Sequence, residues 1–243
     1  MTQWKFLLFL VPALLLAASA AGVDAKSDGK LMVLTFDDGP KPDHLFGAGG
    51  KLGLYDVLQK HKVPAHFFPM GWKLVARPGV ARRLAAKGYL YENHTYGHDN
   101  LKERRKKFSS DKKFMETVDR ARDAVFAETG RLPKYFRPPS WVITPEIRQL
   151  IQAAGYVVLE LGNPDVNTLD WDDQAKHHPA SVLVERVKNQ VAKREKSGNY
   201  KHALAFHELL LSAEALDELI PYFKSRGYRF GTLDEYFGAG KGE

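Results

Sequence analysis

At 243 residues, 44% of them hydrophobic and 14 of them Phe, the chain can bury a sizeable core as one large domain or two small ones, which excludes a disordered class. The absence of Cys excludes disulfides and a lipid-anchored cysteine. A formal charge of +7 with no recognisable nucleic-acid motif argues against a nucleic-acid partner and leaves attraction to an anionic polymer, such as a carboxylate-bearing wall.

Residues 1–20 carry the three parts of an export signal: Lys5, an apolar run over 6–16, and Ala18-Ser19-Ala20 as a small-residue cleavage site. The run lacks the polar face of an amphipathic core helix. The sequence therefore predicts export, cleavage near Ala20, and a periplasmic or secreted product. No second apolar run is long enough to cross a bilayer, so no stable membrane insertion is expected after cleavage. Residues 21–29 read as a flexible lead-in, 30–237 as the domain, and 238–243 as a short tail.

The apolar segment 31–36 predicts a buried strand, ended by the turn Asp38-Gly39-Pro40. Residues 41–53, with Gly47, Gly49, Gly50 and Gly53, read as a surface loop. A helix is predicted over 52–61, a strand over 65–69, a helix over 73–87 and a strand over 89–92. The basic run 102–113, with Arg104, Arg105, Lys106 and Lys107, reads as a solvated face or as a patch for an anionic polymer. Phe114, Val118, Ala121 and Val125 stand at helical spacing within a helix over 111–129. A strand over 135–137 follows, then a helix over 145–154 capped by Thr144, and a strand over 156–161. Helices over 181–196 and 212–226 alternate with strands over 203–206 and 228–231.

This alternation predicts an α/β architecture with a mainly parallel sheet of about seven strands, open or closed into a barrel. In either case the carboxyl ends of the strands gather on one face. The residues expected there are Asp37 and Asp38, His94 and His98, Arg137 followed by Pro138-Pro139, Asp170-Trp171, and His207. Each alone has a bland reading, since an Asp-Gly pair is usually a turn and a lone His usually a satisfied polar group. Together, at successive strand ends, they point to a site. His94 and His98 share a face if the segment turns helically, and with Asp38 they offer two nitrogens and one oxygen. Such a set leaves a coordination position open, as catalytic zinc sites do.

Thr35-Phe36-Asp37-Asp38-Gly39-Pro40 and His94-Thr95-Tyr96-Gly97-His98 together resemble the first two motifs of the polysaccharide deacetylases of carbohydrate esterase family 4, the NodB-homology domain. The resemblance runs over residues 30–237 and implies a distorted (β/α) barrel with fewer than eight strands. It implies that Asp37 is the catalytic base, that Asp38, His94 and His98 bind the metal, and that Arg137 orients the base. It further implies that His207 is the general acid and Asp170 its partner, with the backbone N–H at Ser140 as oxyanion donor. Trp141, Trp171, Pro139 and Tyr96 join Ser140 as candidate substrate contacts, and His44 as a minor one. The implied cofactor is one divalent ion, zinc first, with cobalt, nickel or manganese also suited to the ligand set.

Three of the motifs depart from the family pattern. Ser140-Trp141 stands where an aromatic and Gly usually follow, Asn167 replaces an Asp, and Ala205 replaces a Leu that Leu204 or Phe206 would have to supply. The implied reaction is removal of N-acetyl groups from N-acetylglucosamine in a wall or extracellular glycan, peptidoglycan first. Chitin oligomers, O-acetylated xylan, a small-molecule amide, and a glycan-binding protein without activity are the alternatives.

Overall fold

The computed structural model describes residues 29–98, 110–161 and 164–238. The expected export signal, most of the basic run and all but the first residue of the expected tail lie outside the described residues. The central strand β1 (Leu31–Asp37) is buried along its whole length, as a strand inside a parallel sheet must be. Around it stand β2 (His66–Phe68), β3 (Leu90–Tyr91), β6 (Glu160–Leu161), β7 (Pro164–Asn167) and β8 (Lys201–His207), in the order β3-β2-β1-β8-β7-β6. The last strand, β9 (Arg229–Gly231), pairs with Leu31 to Val33 of β1, below the stretch that pairs with β2.

A second, two-stranded sheet of β4 (Tyr135–Phe136) and β5 (Val157–Val158) fills the remaining arc. It is joined to the first at Asn93, which bridges Phe136, and at Leu159, whose N–H donates to the Phe136 carbonyl at 2.9 Å. Every strand pair is parallel. The result is an α/β fold with a distorted barrel, as expected.

Alternation along β1 sorts its side chains. Met32, Leu34 and Phe36 pack in the cluster beneath the helices, whereas Leu31 and Val33 pack with Phe68, Tyr135, Leu159 and Ala203. Thr35 and Asp37 continue that second, inward row. On β8 the same period places Ala203, Ala205 and His207 inward and Leu204 and Phe206 beneath the helices, so neither of the latter stands in for a leucine at position 205. Phe67, Phe36 and Phe206 form a continuous row across three strands, with centroids 5.3 and 6.0 Å apart. In register, Asp37 lies beside both Phe68 and His207, which brings two site residues abreast at the carboxyl ends.

The helices are α1 (Pro42–Leu45), α2 (Leu54–His61), α3 (Gly71–Ala76), α4 (Val80–Ala85), α5 (Asp111–Thr129), α6 (Pro145–Ala153), α7 (Asp170–Ala175), α8 (Ala180–Lys196), α9 (Leu210–Ser225) and α10 (Leu233–Phe237). The expected single helix over 73–87 is two, because Pro78-Gly79 interrupts it and Gly79 takes φ 84°. The expected strand over 156–161 is also two, and the chain passes there from the small sheet to the large one. The strand β7 begins at a proline and the helices α1 and α7 are short, so their Pro, Asp and Asn residues read as turns in the sequence. Thr144 caps α6 as expected, its hydroxyl accepting from the Ile147 N–H.

Candidate metal centre and active site

Asp37 is the last residue of β1, and Asp38 follows it in the left-handed region, at φ 70°. That turn throws the two carboxylates in different directions. Asp37, nearly fully buried, accepts a hydrogen bond from Arg137 Nη1 at 2.5 Å. The other guanidinium nitrogen of Arg137 donates to Thr35 Oγ1 at 2.8 Å, and that hydroxyl donates to the Leu204 carbonyl at 2.9 Å. Arg137 itself is fully buried, its guanidinium carbon 4.2 Å from the Phe68 ring centroid and 4.9 Å from that of Trp141. A charge so deep is tolerable because it is paired and stacked.

Asp38 turns toward the histidines. Its Oδ1 lies 3.6 Å from His94 Nε2 and 3.3 Å from His98 Nε2, and the two imidazole rings are 5.0 Å apart. The segment from His94 to His98 is a loop and not a helical turn. Thr95 at φ 62° and His98 at φ 53° fold it back, and this is what makes the rings converge. Asn93 Oδ1 holds the Thr95 N–H at 2.9 Å, and its amide donates to the Val118 carbonyl and Tyr156 hydroxyl, both at 3.0 Å. His94 Nδ1 sits 2.7 Å from the Arg137 carbonyl. Only an N–H can satisfy that contact, so Nδ1 carries the proton and Nε2 is left as the free donor atom.

The ligand atoms of Asp38, His94 and His98 all lie within 4.8 Å of one another. Asp38 Oδ1 is buried and has no hydrogen-bond partner. A buried carboxylate oxygen without a donor is costly unless a cation completes it. A hard oxygen with two imidazole nitrogens suits a divalent ion of the zinc type. Burial raises the Asp38 pKa, but His94, His98, His207 and Lys41 outweigh it and hold the carboxyl below its usual range. Burial lowers that of His94, which favours the neutral imidazole that a metal requires.

Facing this set is His207, at the end of β8. Its Nδ1 lies 2.7 Å from Asp170 Oδ1, and its backbone N–H donates to Asp170 Oδ2 at 2.6 Å. Asp170 is fully buried and also accepts from the Ser212 hydroxyl at 2.6 Å and the Trp171 N–H at 2.9 Å. Burial lowers the His207 pKa, but the hydrogen bond and charge of Asp170, aided by Asp37 and Asp38, carry it above the ordinary imidazole value. An imidazolium so held is set to give a proton.

Between these groups is a cleft of about 600 Å³, lined by Asp37, Asp38, His94, His98, His207, Lys41, Pro138, Ser140, Trp141, Asn167, Trp171 and Leu209. Ser140 and Trp141 both adopt positive φ, at 56° and 59°, on the turn after Arg137. Of the eight non-glycine residues with positive φ among those described, Asp38, Thr95, His98, Ser140, Trp141 and Leu169 all adjoin the cleft, a clustering expected of strained functional backbone.

Two expected contacts lie elsewhere. Pro139 is buried and is not part of the lining, which takes Pro138 instead. Tyr96 carries the Arg120 guanidinium over its ring, 3.7 Å from the centroid, and does not line the cleft. His44 is also outside the lining, its Nδ1 bound at 2.7 Å to the Glu208 carbonyl. Asn167 Oδ1 accepts the Leu169 N–H at 3.0 Å, a bond that needs no charge. Thr35, Ser212, Lys41 and Leu209 are site residues that sequence reasoning missed, and only the position of Thr35 on the inward row of β1 could have signalled one.

A family model described as polysaccharide deacetylase matches residues 24–159, and the chain belongs to that family. It is similar to the peptidoglycan-N-acetylglucosamine deacetylase PgdA of Listeria monocytogenes, at 28% identity over 86% of this chain and 39% of that protein. The chain thus spans well under half the length of that relative. A peptidoglycan-N-acetylglucosamine deacetylase of Bacillus cereus is 28% identical over 86% of this chain and 69% of its own. The fold is similar to that of the solved structure of a peptidoglycan deacetylase, PdaC, from Bacillus subtilis, with a TM-score of 0.70, 27% identity, and coverage of 87% of this chain and 92% of that one.

Proposed function

We propose that this member of the polysaccharide deacetylase family hydrolyses N-acetyl groups from N-acetylglucosamine in a cell-wall or extracellular glycan, peptidoglycan first. The observation that carries the reading is a clamped carboxylate and a clamped histidine set abreast on paired strands in one cleft, beside three residues whose ligand atoms converge. Asp37 is clamped by Arg137, and His207 is clamped by Asp170, and Asp38, His94 and His98 line the same cleft.

Asp38, His94 and His98 would hold one divalent ion, zinc first, with cobalt, nickel or manganese also matching the donors. Such an ion, when bound, supplies Lewis-acid polarisation and makes a water more acidic. Asp37, fixed by Arg137 and free on its second oxygen to accept, removes the proton from the attacking water. His207 protonates the departing amine nitrogen from its Nε2, since Nδ1 is held by Asp170. An amide nitrogen leaves poorly without that proton, so both groups are required. The backbone N–H at Ser140 serves the developing oxyanion, a role its side chain need not fill. Trp141 and Trp171, the latter half exposed, present apolar faces for sugar rings.

That the Listeria and Bacillus cereus relatives are peptidoglycan-N-acetylglucosamine deacetylases supports the amide over the ester and the wall glycan over chitin. The predicted signal at residues 1–20 supports an exported or periplasmic place of action, and residues 30–237 would form the catalytic domain. The test is acetate release from metal-reconstituted protein against peptidoglycan, chitin oligomers and acetylated xylan in parallel, with Asp37→Asn as control. Acetate from peptidoglycan, lost in the variant, is expected. Acetate from xylan alone, or none from any polymer with metal bound, would overturn the reading.

A further inference from the structure

The charged groups around the cleft are nearly all accounted for. Asp37 has the Arg137 guanidinium at 2.5 Å, Asp170 has His207 at 2.7 Å, and Asp38 offers its unpartnered oxygen to the ion that the three ligands suit. Lys73, half-buried beside them, uses its ammonium on the Asp38 carbonyl at 2.7 Å. Lys41 is different. It is the one Lys or Arg lining the cleft, and among the described residues its Nζ has no hydrogen-bond or ion-pair partner.

The root of that side chain is nevertheless fixed. The Lys41 N–H donates to Glu208 Oε2 at 2.7 Å. Glu208 is fully buried and fills the space beneath Gly39 so closely that a Cβ there would stand 1.6 Å from Oε1. Only glycine lets the loop lie on that carboxyl. Glu208 offers the Lys41 ammonium little compensation, because burial pushes its own pKa up to about 7 against the opposing pull of Lys41 and Lys73. The backbone of Lys41 is thus anchored while the residue lines a cleft that Trp141 and Trp171 also line, near enough for its charge to act on Asp38.

A cation in a binding cleft with no hydrogen-bond or ion-pair partner calls for an anion on the ligand. A neutral N-acetylglucosamine chain has none to offer, whereas a wall glycan carries carboxylates beside its acetamides. We propose that Lys41 is a specificity residue that binds a carboxylate on the acetylated sugar or its neighbour, so that the cleft favours acidic amino-sugar polymers over neutral ones. This rests on the deacetylase reading above.

The test compares wild type, Lys41→Gln and Lys41→Arg on one wall oligosaccharide in two forms, with free carboxylates and with the same carboxylates amidated. Kinetics of acetate release are measured with the metal-loaded protein, and equilibrium binding of both forms by calorimetry. Wild type is expected to show a KM about five- to tenfold lower for the free acid, with the preference shrinking as salt rises. Lys41→Gln should bring that ratio close to one, and Lys41→Arg should restore most of it. A preference that survives in Lys41→Gln, or a loss that falls equally on both forms, would overturn the proposal. Tighter binding of the free acid without acetate from any form would overturn the deacetylase reading and leave Lys41 standing.

Discussion

In one part of the cleft, Asp38, His94 and His98 stand on loops that turn through left-handed backbone, and a buried carboxylate oxygen there has no hydrogen-bond partner among the described residues. In the other, Asp170 sits at the start of a helix, fully buried, and receives four donors from His207, Ser212 and Trp171. The second side is complete once the chain has folded. The first is shaped around something the chain does not contain. What the difference teaches is where each half gets its order: one from hydrogen bonds formed in folding, the other from a ligand that must arrive afterwards.

Removing the metal tests this contrast most severely. Chelation should abolish acetate release, and returning zinc should restore it. The apparent Tm should rise with added metal, by roughly 5–10 °C at an excess of about a hundredfold over Kd, since binding to the folded state alone contributes about 2.7 kcal/mol there. The His207 Nδ1 proton, followed by NMR, should be little changed in the chelated protein. If it exchanged freely, the two sides would not be independent and the contrast would break.

Next in size is Asp37→Asn, expected to lower kcat by about 10²–10⁴-fold while metal affinity, read by titration, stays within a few-fold. Asp170→Asn should act on the other side through pH. Asp170 holds the His207 pKa above its ordinary value, and a general acid works only below its pKa. Activity should therefore fall as pH rises through that raised value, and in Asp170→Asn the fall should begin at lower pH, read from the alkaline limb of kcat. A limb that did not move would remove His207 as the acid. The smallest effect is expected from Ser212→Ala, which deletes one donor to Asp170: about 1 kcal/mol of stability by denaturant titration and a few-fold in kcat.

The inward row of β1 was readable, because period-two alternation carries Leu31 and Val33 on to Thr35 and Asp37. The metal set was readable from motif spacing, although the two histidines meet on a folded loop and not on a helix. Short strands and turns were less legible. Val157–Val158 and Glu160–Leu161 lie almost contiguous in sequence, yet tertiary pairing assigns them to different sheets. The break at Pro78-Gly79 was legible in principle and was overridden by helical periodicity on both sides. Lys41 and Ser212 gave no local signal, since each owes its place to partners 167 and 42 positions away.

Arg137 serves both sides of the metal centre at once. Its guanidinium sets Asp37, its carbonyl sets His94, and its own N–H is tied to the Asn93 carbonyl at 3.0 Å. Any breathing of that strand end would displace the proposed proton acceptor and a candidate metal ligand as common-mode motion, so the spacing between them would be insulated from it. Lys at this position would keep the carbonyl and lose the fork, so it would uncouple the two without unseating the histidine.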